Sequence, residues 1–146
     1  MILKENLKGK RILDIGTGTG LLSIAAALVG ADEVVVTDME DIETEVLYNA
    51  RLNQVEDKIA VIQEDVFSPN FKIEGSFDWI LMNITAHEIR DLLSFVDIHL
   101  VEKGKVLLSG MVEWNYQETL DLYKKKGYSV LDITKSDEWV TALIKH

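Results

Sequence analysis

Residues 11–30, "RILDIGTGTG" followed by "LLSIAAALVG", constrain the fold of this chain more than any other stretch. Strand-forming residues lead into three alternating glycines. These pass directly into a small-residue helix that stops at Gly30. A strand, a glycine turn and a helix in immediate succession form the opening unit of a parallel α/β sheet. Such sheets bind ligands outside the carboxyl ends of their strands. The spacing of the glycines therefore bears on both fold and ligand.

The rest of the chain repeats the alternation. Strands are expected at 11–15, 33–37, 58–63, 77–82, 104–109, 128–133 and 138–144. "DEVVVTD" and "WILMN" are continuous apolar runs, as parallel strands buried on both faces require. Helices are expected at 20–29, 41–53, 86–99 and 113–126. Asp41 stands where a cap would be, and Thr85 with Glu88 matches a capping box. Ile42, Val46 and Ala50 share one helix face; Tyr116, Leu120 and Tyr123 share another, in a helix stopped by Gly127. The last two strands are too close in sequence for a right-handed crossover, so they pair as a hairpin. The expectation is a three-layer, Rossmann-like α/β fold: a mostly parallel seven-stranded sheet whose last strand runs antiparallel.

Composition narrows the class. With 146 residues, 47% of them apolar, the chain suffices for one domain with a proper core. It has no bilayer-length apolar run and no basic-then-apolar leader, so a globular domain of the cytoplasm is expected, without a membrane partner. Cysteine is absent, which excludes disulfides and thiolate metal sites. The formal charge of −10 repels phosphate backbones, and Lys124, Lys125 and Lys126 merely close a helix. Nucleic acid is disfavoured; a basic protein or a cationic small molecule is the favoured partner. His99 and His146 have no nearby acids at metal-ligand spacing, so no metal site is expected. Trp79, Trp114 and Trp139 are read as core residues.

A dinucleotide fingerprint needs glycine at its first, third and sixth places. Counted from Gly16, the sixth place is Leu21, and no phosphate-loop lysine follows. The pattern is instead Asp14-x-Gly16-x-Gly18-x-Gly20, with Thr17 inside the turn. A carboxylate at Asp14 suits an ammonium and not a pyrophosphate. The N–H groups that open the next helix suit a carboxylate. Together they describe an amino acid. Asp38, at the end of the second strand, suits the hydroxyls of a ribose. Met39 offers an apolar face to a purine, and Asp65 an acceptor for an exocyclic amine. Amino acid, ribose and adenine in that order make S-adenosylmethionine (SAM).

The chain resembles the class I SAM-dependent methyltransferases, through "GKRILDIGTGTGLLSIAA", "VVVTDME" and "FDWILMNI". The "NI" after the fourth strand, "LSGM" and the closing "EWV" narrow the likeness to the catalytic domain of the bacterial ribosomal protein L11 methyltransferases. The resemblance implies methyl transfer to an amine nitrogen, with a protein lysine or N-terminal amine, on a ribosomal protein, as acceptor. Asn83 falls at the strand-end rim, where it is expected to border the cofactor and its side-chain oxygen can accept from an incoming amine. It is followed by Ile84, Thr85 and Ala86, not by the Pro-Pro-aromatic platform used for planar acceptors, so an aliphatic amine fits better. His87 begins the next helix and is read as a surface residue. A small-molecule methyltransferase and a non-catalytic SAM-binding module completed by a partner are the competing readings.

The likeness departs at the front. About ten residues precede the first strand, where the family places a Gly/Thr-rich loop, a helix and a substrate-recognition domain. The chain is expected to be one SAM-binding domain, 1–146, without that recognition domain. Weak binding of SAM through an exposed site should follow.

Overall fold

The computed structural model describes residues 1–146. Its strands are β1 (Arg11–Ile15), β2 (Glu33–Asp38), β3 (Ile59–Gln63), β4 (Phe77–Asn83), β5 (Leu100–Val112), β6 (Ser129–Ser136) and β7 (Trp139–Lys145). They form one seven-stranded sheet in the order β3-β2-β1-β4-β5-β7-β6. The first five strands pair in parallel, while β7 lies between β5 and β6 and is antiparallel to both. The Rossmann-like architecture and the closing hairpin are as the sequence led us to expect. Strand order reverses between β1 and β4, so the crevice of the fold opens beside the carboxyl ends of those two strands.

Alternate residues of each central strand feed opposite faces. Ile12 joins one apolar core with α1 (Leu21–Leu28) and α2 (Glu43–Leu52); Leu13 joins the other with α3 (Ala86–Asp91), α4 (Leu93–His99) and α5 (Tyr116–Lys125). The two cores hold 20 and 18 buried residues, so neither face of the central sheet is left to solvent. That near balance explains why "VVV" and "WILM" are apolar without alternation.

Several local expectations need correction. Asp41 does not cap α2. The helix starts at Glu43 behind Ile42 with no side-chain cap, and Glu43 and Glu45 in its first turn complement the dipole instead. The helix expected over 86–99 is broken at Leu92, whose ψ of 2° leaves the helical range, giving α3 and α4. Both pieces still bury a residue in one core, Ile89 and Val96. Leu100 is not the end of that helix but the start of β5, which begins four residues earlier than expected across an irregular register. The capping box of Thr85 and Glu88 is present in both directions, a device typically worth about 1 kcal/mol per cap. Trp79 is buried, but Trp114 and Trp139 are 76% and 54% exposed. Both stand at the rim where β5 ends and β7 begins, beyond the reach of the covering helices.

Candidate functional site

The glycine turn sits at the switch point. Gly16, Gly18 and Gly20 all have positive φ, between 59° and 87°, which non-glycine residues rarely adopt. Gly16 N–H donates to the Thr37 carbonyl at 2.8 Å, tying the turn to the end of β2. Gly20 forms the N-cap of α1, with no side chain to satisfy the first helical N–H groups.

Beneath the turn lies Asp14, only 1% exposed. One carboxylate oxygen accepts hydrogen bonds from the hydroxyls of Thr17 and Ser23, each at 2.6 Å. The other oxygen is buried and has no donor at all. Burial, and secondarily the charge of Asp38, push the Asp14 carboxyl above the usual carboxylate range; the two hydroxyls pull the other way. An unpartnered buried acceptor is costly and rare, which marks this oxygen as a waiting contact.

Asp14 lines a cleft of 560 Å³. Its walls include Asp14, Gly16, Thr17 and Gly18 on one side, the first residues of α1 above, and Asn83 with Ser109 and Thr141 across the sheet. A second cavity, of 200 Å³, holds Asp38, Met39 and Asp65 with Thr37, Phe67 and Ile84. Gly16 borders both. The sequence-derived residues thus divide into an amine-facing group and a second group one strand away. Gly20 borders neither cavity; it packs against Val46.

Asp38 is only half-buried and already bonded. Its oxygens accept from the N–H of Glu40 at 3.0 Å and of Gly18 at 3.3 Å, leaving further lone pairs toward the cavity. Asp65 accepts from the Phe67 N–H at 2.9 Å, closing a turn that shapes the same wall. Asn83 ends β4 in register with Ser109 of β5 and is exposed to the cleft. His87 is an exposed helix residue whose Nε2 lies 3.3 Å from Asp91.

Three residues at the site went unread. Ser23 is the one polar residue within the apolar run of α1, and that oddity signals a buried partner. Ser109 and Thr141, whose hydroxyls lie 2.9 Å apart, meet only through strand pairing, which no local pattern announces. Trp114, exposed at the sheet rim, borders neither cavity.

The chemistry of these residues fits SAM. The orphaned Asp14 oxygen matches its ammonium, and the uncapped start of α1 matches its carboxylate. A Cβ on Gly16 would come within 2.7 Å of the Ile84 side chain, so it is glycine at this position that lets Ile84 pack against the turn.

Residues 2–146 match the family model described as ribosomal protein L11 methyltransferase (PrmA). A ribosomal protein L11 methyltransferase of Syntrophotalea carbinolica is 37% identical over 89% of this chain and 41% of its own length. One from Thermotoga neapolitana is 35% identical over 99% of this chain and 54% of its own. The chain therefore spans about half the length of these curated relatives. The crystal structure of a ribosomal protein L11 methylase from Lactobacillus delbrueckii subsp. bulgaricus superposes with a TM-score of 0.87 at 30% identity, covering 98% of this chain and 72% of that one. By sequence and by fold, the chain belongs to the ribosomal protein L11 methyltransferase family.

Proposed function

We propose that this chain is a single methyltransferase domain of the cytoplasm that binds SAM and directs its methyl group to an amine nitrogen on a basic protein, a ribosomal protein foremost. The observation that carries the reading is the buried, donor-less oxygen of Asp14, a residue that lines the larger cleft. Bound there, SAM supplies a methyl group already activated by its sulfonium. Asp14 holds the ammonium, Thr17 and Ser23 fix the carboxylate that does so, and the N–H groups of Leu21 and Leu22 receive the ligand's carboxylate. Asp38 takes the ribose hydroxyls, while Met39 and Asp65 flank the base.

Transfer then requires alignment more than acid–base chemistry. A lysine amine, with an ordinary pKa of about 10.4, must lose its proton to water before it attacks. Asn83 would accept an N–H of the neutral amine and hold its lone pair toward the methyl group. The carbon–sulfur bond would break as the carbon–nitrogen bond forms, the thioether product leaving and the amine's excess proton passing to water. The net charge of −10 favours approach by a basic protein.

The test is transfer of tritium-labelled methyl from SAM to purified ribosomal proteins, with small amines in parallel. Label on a ribosomal protein, lost in Asn83→Ala, supports the reading. Turnover confined to small amines would replace the acceptor, and binding of SAM without any transfer would reduce the chain to a binding module.

A further inference from the structure

Asn83 ends a strand, is exposed and borders the larger cleft, so its aim depends on the backbone that follows it. The residue that follows is held unusually tightly. Ile84 N–H donates to the Ser109 carbonyl at 3.2 Å. Its side chain lies over Gly16, where a Cβ would meet the Ile84 Cγ2 at 2.7 Å. Its carbonyl occupies the place of a second missing side chain. A Cβ on Gly110 would overlap the Ile84 oxygen and come within 3.0 Å of its carbonyl carbon.

Gly110 has a φ of 84° and marks an irregularity in β5. Between the Leu108–Ala142 and Met111–Val140 pairs, β5 advances three residues while β7 advances two. The extra residue bends β5 away from its ladder, as bulges near sites do, and the bend gives room to Ile84. Two glycines from distant parts of the chain thus leave space for one residue. That residue also borders the smaller cavity, while Asn83 borders the larger.

We propose that Ile84 is a positioning residue for Asn83. Its side chain is wedged over Gly16 and its carbonyl is seated in the Gly110 bulge, and together they fix the Asn83 amide at the mouth of the cleft. The inference rests on the reading of Asn83 as the group that aims the acceptor amine. It gives the "NI" and "LSGM" segments a shared physical purpose, since neither holds its shape without the other.

Removing the wedge should loosen Asn83 more than it weakens the cofactor contacts, since Ile84 borders only the smaller of the two cavities. Ile84→Ala is expected to lower kcat for methyl transfer to ribosomal protein about 10–100-fold, the scale of a small misplacement of a reacting group. The Kd for S-adenosylhomocysteine (SAH), read by calorimetry, should rise far less than kcat falls, by a few-fold at most. Ile84→Val, which keeps Cγ2, should return most of the rate. Gly110→Ala should reproduce the Ile84→Ala pattern from the other side. In parallel, the Asn83 side-chain amide signals in a ¹⁵N spectrum, assigned by their loss in Asn83→Asp, should broaden or shift in Ile84→Ala while the melting temperature changes little. An unchanged kcat, or an SAH affinity that falls in step with kcat, overturns the proposal. Should the wild-type chain transfer no methyl, the functional reading fails. The amide signals then still judge the wedge, and signals unmoved by Ile84→Ala refute it.

Discussion

Asp14, near the end of β1, and Asp38, at the end of β2, stand on neighbouring strands and are built in opposite ways. Asp14 is sealed from solvent, with two hydroxyls on one oxygen and nothing on the other. Asp38 is half-open, with a backbone N–H on each oxygen. The first is a charge the fold holds at a cost, because its ionised form lacks a counterion. The second is a loop fastener with lone pairs to spare. The difference teaches that the two acids contribute unequally: Asp14 keeps one oxygen without a donor, whereas each Asp38 oxygen already accepts one.

The largest expected effect follows from that incompleteness. Asp14→Asn should weaken SAH by about 100-fold or more, the scale of breaking a buried charge pair, and leave adenosine binding nearly intact. Parallel calorimetric titrations with the two ligands check this. Equal losses for both would erase the distinction between the cavities.

Asn83→Ala should come next, with kcat down about 100-fold and SAH affinity within about threefold, since the residue acts on the acceptor. Single-turnover methylation measures the first quantity. Asp38→Asn should cost about tenfold in affinity, the worth of one or two hydrogen bonds to a charged group. It should do so for adenosine and SAH alike, the reverse of the Asp14 pattern.

A pH series sharpens the same contrast at smaller amplitude. The Asp14 pKa is raised in the folded state above its ordinary value of 3.8, with burial as the leading cause. A raised carboxyl pKa favours the fold while the group is protonated. That contribution is full below the unfolded value and is lost as pH rises through the folded one. Without ligand, wild type should therefore gain stability relative to Asp14→Asn as pH falls through the folded-state pKa. SAH affinity should fall over the same interval, because the protonated carboxyl no longer pairs with an ammonium. Denaturant melts of both proteins across pH 4–7 measure the first trend. The smallest effect is expected from Met39→Ala, about threefold in affinity, because Met39 is 64% exposed and would bury only part of its side chain against a base.

The contrast also shows what could be read from sequence. The glycine turn, Asp14 and Asp38 were legible because a strand, a turn and a helix are contiguous and their ends fix where side chains emerge. The seven strands and the final hairpin followed from apolar runs and connection lengths. Ser109, Thr141 and the seat of Ile84 were not legible, since each depends on which strand lies beside which and on a bulge at Gly110. "LSGM" was visible as a string without a physical role until β5 was set against β4. Trp114 and Trp139 were misread for a different reason. An aromatic residue in a strand-like run is buried only if something covers that end of the sheet, and here nothing does.

The account turns on Asp14 as the receptor of an ammonium, and one thermal-shift comparison addresses it directly. SAH and NAD are each added to wild type and to Asp14→Asn at neutral pH. The account predicts that SAH raises the melting temperature of wild type, that NAD does not, and that Asp14→Asn loses most of the SAH response. A rise with NAD in place of SAH, or an undiminished SAH response in Asp14→Asn, would contradict it.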